Sequence, residues 1–280
     1  MINELTRENF YKCRKIAQTD MRIMEALAVI NGGNPGRIFV DRCDYPSAGM
    51  IWLGNNDGFL FVGDEQNSLF LSEMNRFISE SITPEAQKQG LNSFEAIPTH
   101  PKWNNTIEKM FSDRKLESWQ QRVYHLEESH YRKDLEPILN DQYKVRKIEH
   151  QLLVEEDELF ENHDFLSETI HQFWASTEDF LENGFGYCVV DDKRIASICY
   201  SSFVVGDTQV IGIETLPDYQ QKRLAAKTAH AFVQECFKRK MTPYWDCMEE
   251  NVGSWKTAES LGFTIDFDYK GYMFSFEKEL

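Results

Sequence analysis

The sequence predicts a mixed α/β (α+β) fold in two domains. Its 280 residues, 41% of them hydrophobic, are enough for two ordinary cores. Short β-rich segments alternate with segments of helical periodicity along the whole chain. A charged stretch between Glu127 and Asp141 contains Pro137 and interrupts this alternation. We therefore place an N-terminal α+β domain over residues 1–135 and a second domain over residues 136–280.

The first half begins with a helical pattern that runs to about Ile30 and ends at glycines and a proline. Three β-rich segments follow it and are typical of an antiparallel meander. Helices and strands then alternate. The meander is predicted at 36–42, 48–54 and 58–64, the helices at about 69–81 and 103–113, and the strands at 93–100 and 115–127.

The second half predicts a mixed, mostly antiparallel sheet that is flanked by helices. Strands are predicted at 144–149, 186–192, 194–205, 208–216, 243–248, 264–269 and 272–277, and helices at 163–174, 177–184, 222–239 and 254–262. We expect the last two strands to form a hairpin around Lys270 and Gly271. The meander and helix of the first half loosely parallel those of the second, so two diverged copies of one fold remain an alternative.

Charge and composition exclude several classes of partner. Acidic residues outnumber basic ones by 46 to 30, which gives a formal charge of −16 and repels nucleic acid and anionic membranes. No apolar segment is long enough to cross a bilayer, so we expect a cytoplasmic protein. The six cysteines form no CxxC pair and the histidines lack metal-ligand spacing, so no metal site is expected. Partners should therefore be small and cationic or neutral, and a homodimer stays open.

The most informative segment is the apolar strand that ends at Thr215, followed by a short loop and a long amphipathic helix. The start of such a helix offers unpaired N–H groups and the positive end of the helix dipole, which suit a phosphate. Lys222 and Arg223 add positive charge, and the small residues Ala225 and Ala226 let a bulky anion approach the backbone. The geometry suits a diphosphate.

The segment TLPDYQQKRLAA, residues 215–226, resembles the acyl-CoA loop of the GNAT N-acetyltransferase superfamily. That loop follows the pattern V/T-x-P-x-(Y)-(R/Q)-x-x-G-x-(G/A), and Gln220 and Ala225 match its first and last key positions. A second similarity lies downstream, at Asn251, Ser254 and the Gly262–Phe263 pair. The resemblance covers about residues 140–280.

The resemblance implies a V-shaped opening between two central strands, which receives the pantetheine of acetyl-CoA. Glu214 to Leu216 would face the thioester, and the amides from Gln221 to Ala226 would hold the pyrophosphate. Asn251 would either contact the pantetheine or only cap the helix that follows it. The cofactor-binding residues implied in this way are Thr215, Leu216, Gln220, Gln221, Lys222, Arg223, Leu224, Ala225, Ala226, Asn251 and Ser254.

Two positions depart from the family pattern. Arg223 replaces the glycine of the phosphate loop, which is harmless if its φ is negative and its side chain points outward. Ala258 stands where many members carry a tyrosine that protonates the departing thiolate. Tyr269 and Tyr272 are alternative sources of a phenol.

Glu214 is the predicted catalytic base, since a glutamate within the apolar run VIGIETL requires either a partner or a task. A structural ion pair is the alternative role for this residue. Asp246 is a second carboxylate that could bind a cationic amine. The sequence thus favours an acetyl-CoA-dependent N-acetyltransferase that uses direct attack in a ternary complex. The alternative is a non-catalytic module of the same fold that senses coenzyme A or binds another protein.

Overall fold

The computed structural model describes residues 2–18, 21–54, 56, 58–153 and 160–277. The chain forms two compact units, residues 1–121 with 269–280 (unit 1) and residues 122–268 (unit 2). Strand β6 (Glu117–His125) and strand β12 (Thr264–Ser275) each contribute residues to both units. The units are therefore divided within strands, whereas the predicted domains 1–135 and 136–280 meet in a loop. That domain division stays a prediction.

Unit 1 is built on a mixed sheet whose first three long strands form the predicted meander. Its strands are β1 (Asn3–Glu4), β2 (Gly36–Val40), β3 (Ala48–Leu53), β4 (Gly58–Gly63) and β5 (Ser93–Pro98), and its helices are α1 (Met24–Ile30), α2 (Ser68–Phe77), α3 (Thr83–Lys88) and α4 (Trp103–Met110). Neighbours from β1 to β4 are antiparallel, β5 is parallel to β4, and β12 is antiparallel to β5. The helical pattern predicted up to Ile30 is confirmed at its end by α1 and is wrong at its beginning, where the chain forms strand β1 and a 3₁₀ helix (Arg7–Cys13).

Aromatic side chains fill the core of unit 1. Phe94 on β5 stacks between Phe59 and Phe274, with ring centroids 4.1 and 5.0 Å apart. All three rings are buried. Such stacked rings bury large apolar areas from neighbouring strands, which fixes the order of β4, β5 and β12.

Unit 2 contains the predicted second sheet. Its strands, besides parts of β6 and β12, are β7 (Tyr143–Lys147), β8 (Gly186–Asp191), β9 (Arg194–Val205), β10 (Thr208–Thr215) and β11 (Thr242–Met248). Its helices are α5 (His150–Leu153), α6 (His163–His171), α7 (Thr177–Asn183), α8 (Leu224–Lys238) and α9 (Val252–Leu261). Strands β7 to β10 are antiparallel, and β11 is parallel to β10.

The sheet of unit 2 has a helical layer on each face. Phe232 of α8 and Leu261 of α9 pack with Trp245 of β11 on one face. Leu166 of α6 packs with Tyr200 of β9 on the other. We call these the α8 face and the α6 face. The mixed, mostly antiparallel sheet flanked by helices is therefore confirmed.

The same order of elements occurs in both units. An antiparallel meander is followed by a helix, a strand parallel to the last meander strand, and a second helix. In unit 1 these are β2 to β4, α2, β5 and α4, and in unit 2 they are β8 to β10, α8, β11 and α9. The parallel between the two halves, which was weak in the sequence, is clear in the topology.

The hairpin predicted at Lys270 and Gly271 is wrong, because β12 runs without a turn from Thr264 to Ser275. A β-carbon added to Gly271 would lie 2.2 Å from Cζ2 of Trp119. The glycine therefore gives room to an indole on the neighbouring strand and does not form a turn. A glycine in a sequence can indicate either a turn or the close approach of another group to the backbone, and Gly271 indicates the second.

Replacing Gly271 by alanine is expected to lower the free energy of unfolding by about 1–3 kcal/mol, the usual cost of an overpacked core. Gly253→Ala is the matched control, because the nearest atom to its added β-carbon would be 3.8 Å away and alanine favours a helix. Urea unfolding measures both. A Gly271→Ala protein as stable as the parent would contradict the packing described for Trp119.

Within the described ranges, none of the helices combines the length and the apolar character that a membrane span requires.

Candidate functional site

The parallel strands β10 and β11 are paired along only part of their length. The ladder joins Thr208 to Val210 with Thr242 to Tyr244 and ends there, although β10 continues to Thr215. At the same place the register of β10 against β9 shifts, between Val210 and Ile211. The extra residue, Ser202, lies on β9, so the bulge bends β9 and increases the local twist of the two strands. The last residues of β10 therefore form a free edge towards β11.

The loop after β10 leads directly into the start of α8. It contains a 3₁₀ turn (Pro217–Tyr219), and α8 begins at Leu224. The amide of Lys227 donates to the carbonyl of Arg223 as the helix begins. The amides of Leu224, Ala225 and Ala226 precede it and have no carbonyl one turn back within the helix. They are the unpaired donors that the sequence predicted for an anion.

Arg223 has φ 61° and ψ 20°, in the left-handed region. The negative φ that would make arginine harmless at this position is therefore not found. A left-handed conformation costs a residue with a β-carbon about 1–2 kcal/mol, which explains why glycine suits this place in the loop. The guanidinium donates a hydrogen bond of 3.3 Å to the carbonyl of Leu135, so the side chain is held along the surface. Gln221 also has a positive φ, of 62°.

Substituting Arg223 by glycine is expected to raise the free energy of unfolding by about 0.5–1 kcal/mol, because relief of the left-handed strain exceeds the entropy that glycine adds to the unfolded chain. Arg223→Ala separates charge from strain, since alanine keeps the strained β-carbon and loses the guanidinium. Thermal or urea unfolding of both variants checks this. Equal stability of the glycine and alanine variants would show that the loop is not strained at this position.

Two further cations lie near the start of α8. Lys222 is exposed, donates to the carbonyl of Asp218 at 2.8 Å and lies over the ring of Tyr219. Lys227 is half-buried and forms an ion pair of 2.6 Å with Glu136. The positive potential at the helix start is thus supplied mainly by Lys222, Arg223 and the helix dipole.

Glu214 lies on the α6 face of the sheet. It is paired in register with Ile198 of β9, and both Ile198 and its neighbour Tyr200 belong to the α6-face core. The carboxylate is exposed and forms no ion pair with any residue that the structure describes. Partial burial of the group raises its pKa above the ordinary 4.5. The structural ion pair that was the alternative role for Glu214 is therefore not formed among the described residues.

Asp246 lies on the same face, on the other side of the opening. Trp245 and Cys247, its neighbours on β11, both belong to the core of the α8 face, so the intervening Asp246 is on the α6 face. Its side chain is half-buried. The two carboxylates proposed from the sequence are thus on one face of two diverging strands.

Thr215 and Leu216 close the end of β10 against β9. The hydroxyls of Thr215 and Ser197 are hydrogen-bonded at 2.7 Å, and the amide of Leu216 donates to Ala196 at 3.0 Å. Gln220 is exposed on the loop. These contacts fix the entry of the loop and leave its outer side open.

Asn251 caps α9, since its side-chain oxygen accepts from the amide of Ser254 at 3.1 Å. The hydroxyl of Ser254 accepts from the indole of Trp245 at 3.0 Å. The structure thus confirms the cap, and a ligand contact by either residue stays a prediction. Ala258 is fully buried in the α8-face core, so the tyrosine of many family members has no equivalent there. Tyr272, offered as a substitute, donates to Glu108 within unit 1.

Two residues of the site escaped the sequence analysis. Tyr200 and Gly212 are paired in register on β9 and β10, directly beside Glu214. Only the register of the two strands brings them together. A glycine inside an apolar strand was the available signal, because it indicates that another group approaches the backbone closely.

The corresponding place in unit 1 is closed in the part of the chain that the structure describes. Strand β5 stays paired with β4 up to Phe61 and Pro98, and the amide of Thr99 continues the ladder. The side chain of Asn67 caps α2 through the amide of Phe70. Next to it, burial raises the pKa of Asp41, but hydrogen bonds from Ser47, Ala48 and Asn67 outweigh that and lower it to about 2. A charged carboxylate thus lies near the start of α2.

A sheet that opens between two parallel strands, with a helix start at the opening, defines the N-acetyltransferase fold expected from the sequence. Residues 16–272 match the family model described as GNAT acetyltransferase. The chain therefore belongs to the GNAT acetyltransferase family. The match includes most of the first half, which the sequence resemblance did not cover.

Individual relatives agree with this assignment. An uncharacterized N-acetyltransferase, YdfB of Bacillus subtilis (strain 168), is 22% identical over 97% of this chain and 98% of its own. A GCN5-related N-acetyltransferase-like protein from Streptococcus suis 89/1591 has a similar structure, with TM-score 0.70 and 19% identity over 95% of this chain and 98% of its own. A tandem GNAT protein from the clavulanic acid biosynthesis pathway has TM-score 0.59 and 9% identity over 100% of this chain and 99% of its own. The two structures support the fold.

Proposed function

We propose that the protein is an acetyl-CoA-dependent N-acetyltransferase whose cofactor site and catalytic base both lie in unit 2. The observation that carries this proposal is the free edge of β10 beside the unpaired amides of α8. Family membership supports acetyl transfer in general. The proposal adds the site, the base and the mechanism.

The residues present fit the cofactor in two respects. The backbone of β10 beyond Val210 has no strand partner on the β11 side, which suits an extended pantetheine with alternating amide groups. The amides of Leu224, Ala225 and Ala226, with Arg223 and Lys222 beside them, suit a pyrophosphate. When bound, acetyl-CoA supplies an acetyl thioester that an amine can attack directly in a ternary complex.

Glu214 is the proposed base for the acceptor amine. An amine attacks only when it is neutral, so a carboxylate near the opening must accept its proton, directly or through water. The pKa of Glu214 is raised towards neutral pH, which favours its role as a base. Asp246 adds a second negative charge on the same face. The two carboxylates favour a cationic acceptor, a small-molecule or peptide amine.

Two observations favour the alternative, a non-catalytic module of the same fold that senses coenzyme A or binds another protein. The loop carries a strained arginine where the family pattern has glycine, and buried Ala258 offers no acid for the thiolate. The thiolate of coenzyme A is a weak base, so water can protonate it and catalysis does not require that acid. This is why we favour the enzyme.

Calorimetric titration with acetyl-CoA, followed by an amine panel with release of the free thiol as readout, distinguishes the two functions. The enzyme proposal expects binding, and thiol release that depends on an added amine. Binding without amine-dependent release from any member of the panel would favour the sensor. Absence of binding by both the parent and Arg223→Gly would exclude the acetyl-CoA-dependent enzyme and the coenzyme A sensor alike.

A further inference from the structure

Tyr200 lies across the strand that carries Glu214. A β-carbon added to Gly212 would be 2.5 Å from Cζ of Tyr200 and 2.8 Å from its hydroxyl oxygen. The ring therefore occupies the space that a side chain at position 212 would fill. The phenol extends from Tyr200 on β9 across to Gly212 on β10. Gly212 directly follows Ile211, where the register of the two strands shifts.

The hydroxyl of Tyr200 is within reach of the Glu214 side chain. Gly212 and Glu214 are two residues apart on one strand and so lie on one face, about 6.6 Å apart along it. An extended glutamate side chain spans most of that distance. On the same face Phe173 packs beside the phenol, with its ring centroid 6.0 Å from that of Tyr200. Glu214 is thus the acceptor that the geometry offers to this hydroxyl.

The hydroxyl has no hydrogen-bond partner among the described residues, although Tyr200 is only 3% exposed. Because the hydroxyl oxygen is unpaired yet not fully buried, water reaches it and can bridge it to the carboxylate. Burial raises the pKa of Tyr200, and the charges of Glu214 and then Cys199 raise it further. Burial also raises the pKa of the Cys199 thiol well above its usual range. The phenol therefore stays protonated and acts as a donor, and Glu214 is its one charged neighbour at neutral pH among the described residues.

We propose that Tyr200 is a positioning residue for Glu214, with its hydroxyl donating a hydrogen bond to the carboxylate, directly or through one water. This inference rests on the proposed function. It adds a residue that the family's loop pattern does not contain. Gly212 is part of the arrangement, because any side chain there would displace the phenol.

Tyr200→Phe tests the proposal, since phenylalanine keeps the ring packed on Gly212 and removes only the hydroxyl. We expect kcat to fall about tenfold, with the KM for acetyl-CoA changed less than about twofold. A hydrogen bond to a carboxylate favours its charged form, so its loss should move the acid limb of the kcat/KM profile upward by roughly 0.5–1 pH unit. Tyr187→Phe is the matched control, because Tyr187 packs on the α8 face. The control should behave as the parent.

A second measurement does not depend on turnover. With tyrosines labelled by ¹³C at Cζ, the Tyr200 signal, assigned by its loss in Tyr200→Phe, should shift as Glu214 ionises. The shift should vanish in Glu214→Gln. The inference would be overturned if the chemical shift of this signal did not change between pH 4 and pH 8, or if it still changed in Glu214→Gln. Unchanged kinetics in Tyr200→Phe would also overturn it. If the parent binds no acetyl-CoA, the proposed function fails instead, whatever the Tyr200 signal does.

Discussion

Replacing Ala225 by glutamate is expected to abolish acetyl-CoA binding, with a loss of affinity of at least about 100-fold. Ala225 lies in the first turn of α8, where the unpaired amides point at the proposed pyrophosphate position. A carboxylate there would satisfy those amides from within the chain and repel the incoming phosphates. Calorimetric titration with acetyl-CoA measures the effect.

The stability of this variant should not fall, because an acidic residue in the first turn of a helix interacts favourably with the helix dipole. Loss of binding in a protein of unchanged or higher Tm therefore separates a blocked site from a damaged fold. Ala225→Gln is the matched control, with the same size and no charge, and should lose less affinity. Retention of full affinity in Ala225→Glu would place the phosphates elsewhere.

Glu214→Gln is expected to lower kcat/KM for the amine by about 10²–10⁴-fold, the usual contribution of a general base. The affinity for acetyl-CoA should change little, since glutamine keeps the shape of the side chain. In the parent, kcat/KM should fall as the pH drops through the raised pKa of Glu214, so the acid limb lies above 4.5. That limb should be absent from the residual activity of Glu214→Gln. An unchanged rate would remove Glu214 from the mechanism.

The same substitution has a predicted effect on stability. A carboxyl whose pKa is raised in the folded protein holds its proton more tightly there than in the unfolded chain. Its contribution to stability is therefore lost as the pH rises through the folded pKa. At pH 8 the Tm of Glu214→Gln should equal or exceed that of the parent. A marked fall in Tm would indicate that the carboxylate has a stabilising partner.

The elements that the sequence predicted best are those with strong local signals. The meander of the first half and the strand–loop–helix segment ending in α8 were predicted correctly. Their signals are β-rich runs, glycines and a long alanine-containing helical pattern, which lie within the segments themselves. The cap formed by Asn251 was likewise one of the two roles that the sequence predicted for this residue. These features depend on residues that are close in sequence.

The parts that the sequence missed depend on contacts between distant residues. The supposed turn at Gly271 is a strand that makes room for Trp119, which lies far away in the chain. Tyr200 could not be connected with Gly212 and Glu214 before the register of β9 and β10 was known. The φ of Arg223 could not be predicted from the sequence either, because both signs of φ are sterically allowed for arginine, at different energetic cost.

The most direct test of the account is the stoichiometry of acetyl-CoA binding, measured by calorimetric titration of the parent and of Ala225→Glu. Within the described residues, the opened strands beside a helix start without a side-chain cap are found in unit 2, whereas the corresponding strands of unit 1 stay paired and its helix α2 is capped, so one molecule should bind per chain. The Ala225→Glu protein should bind none. No binding by the parent, or equal binding by the Ala225→Glu protein, would contradict the assignment of this site.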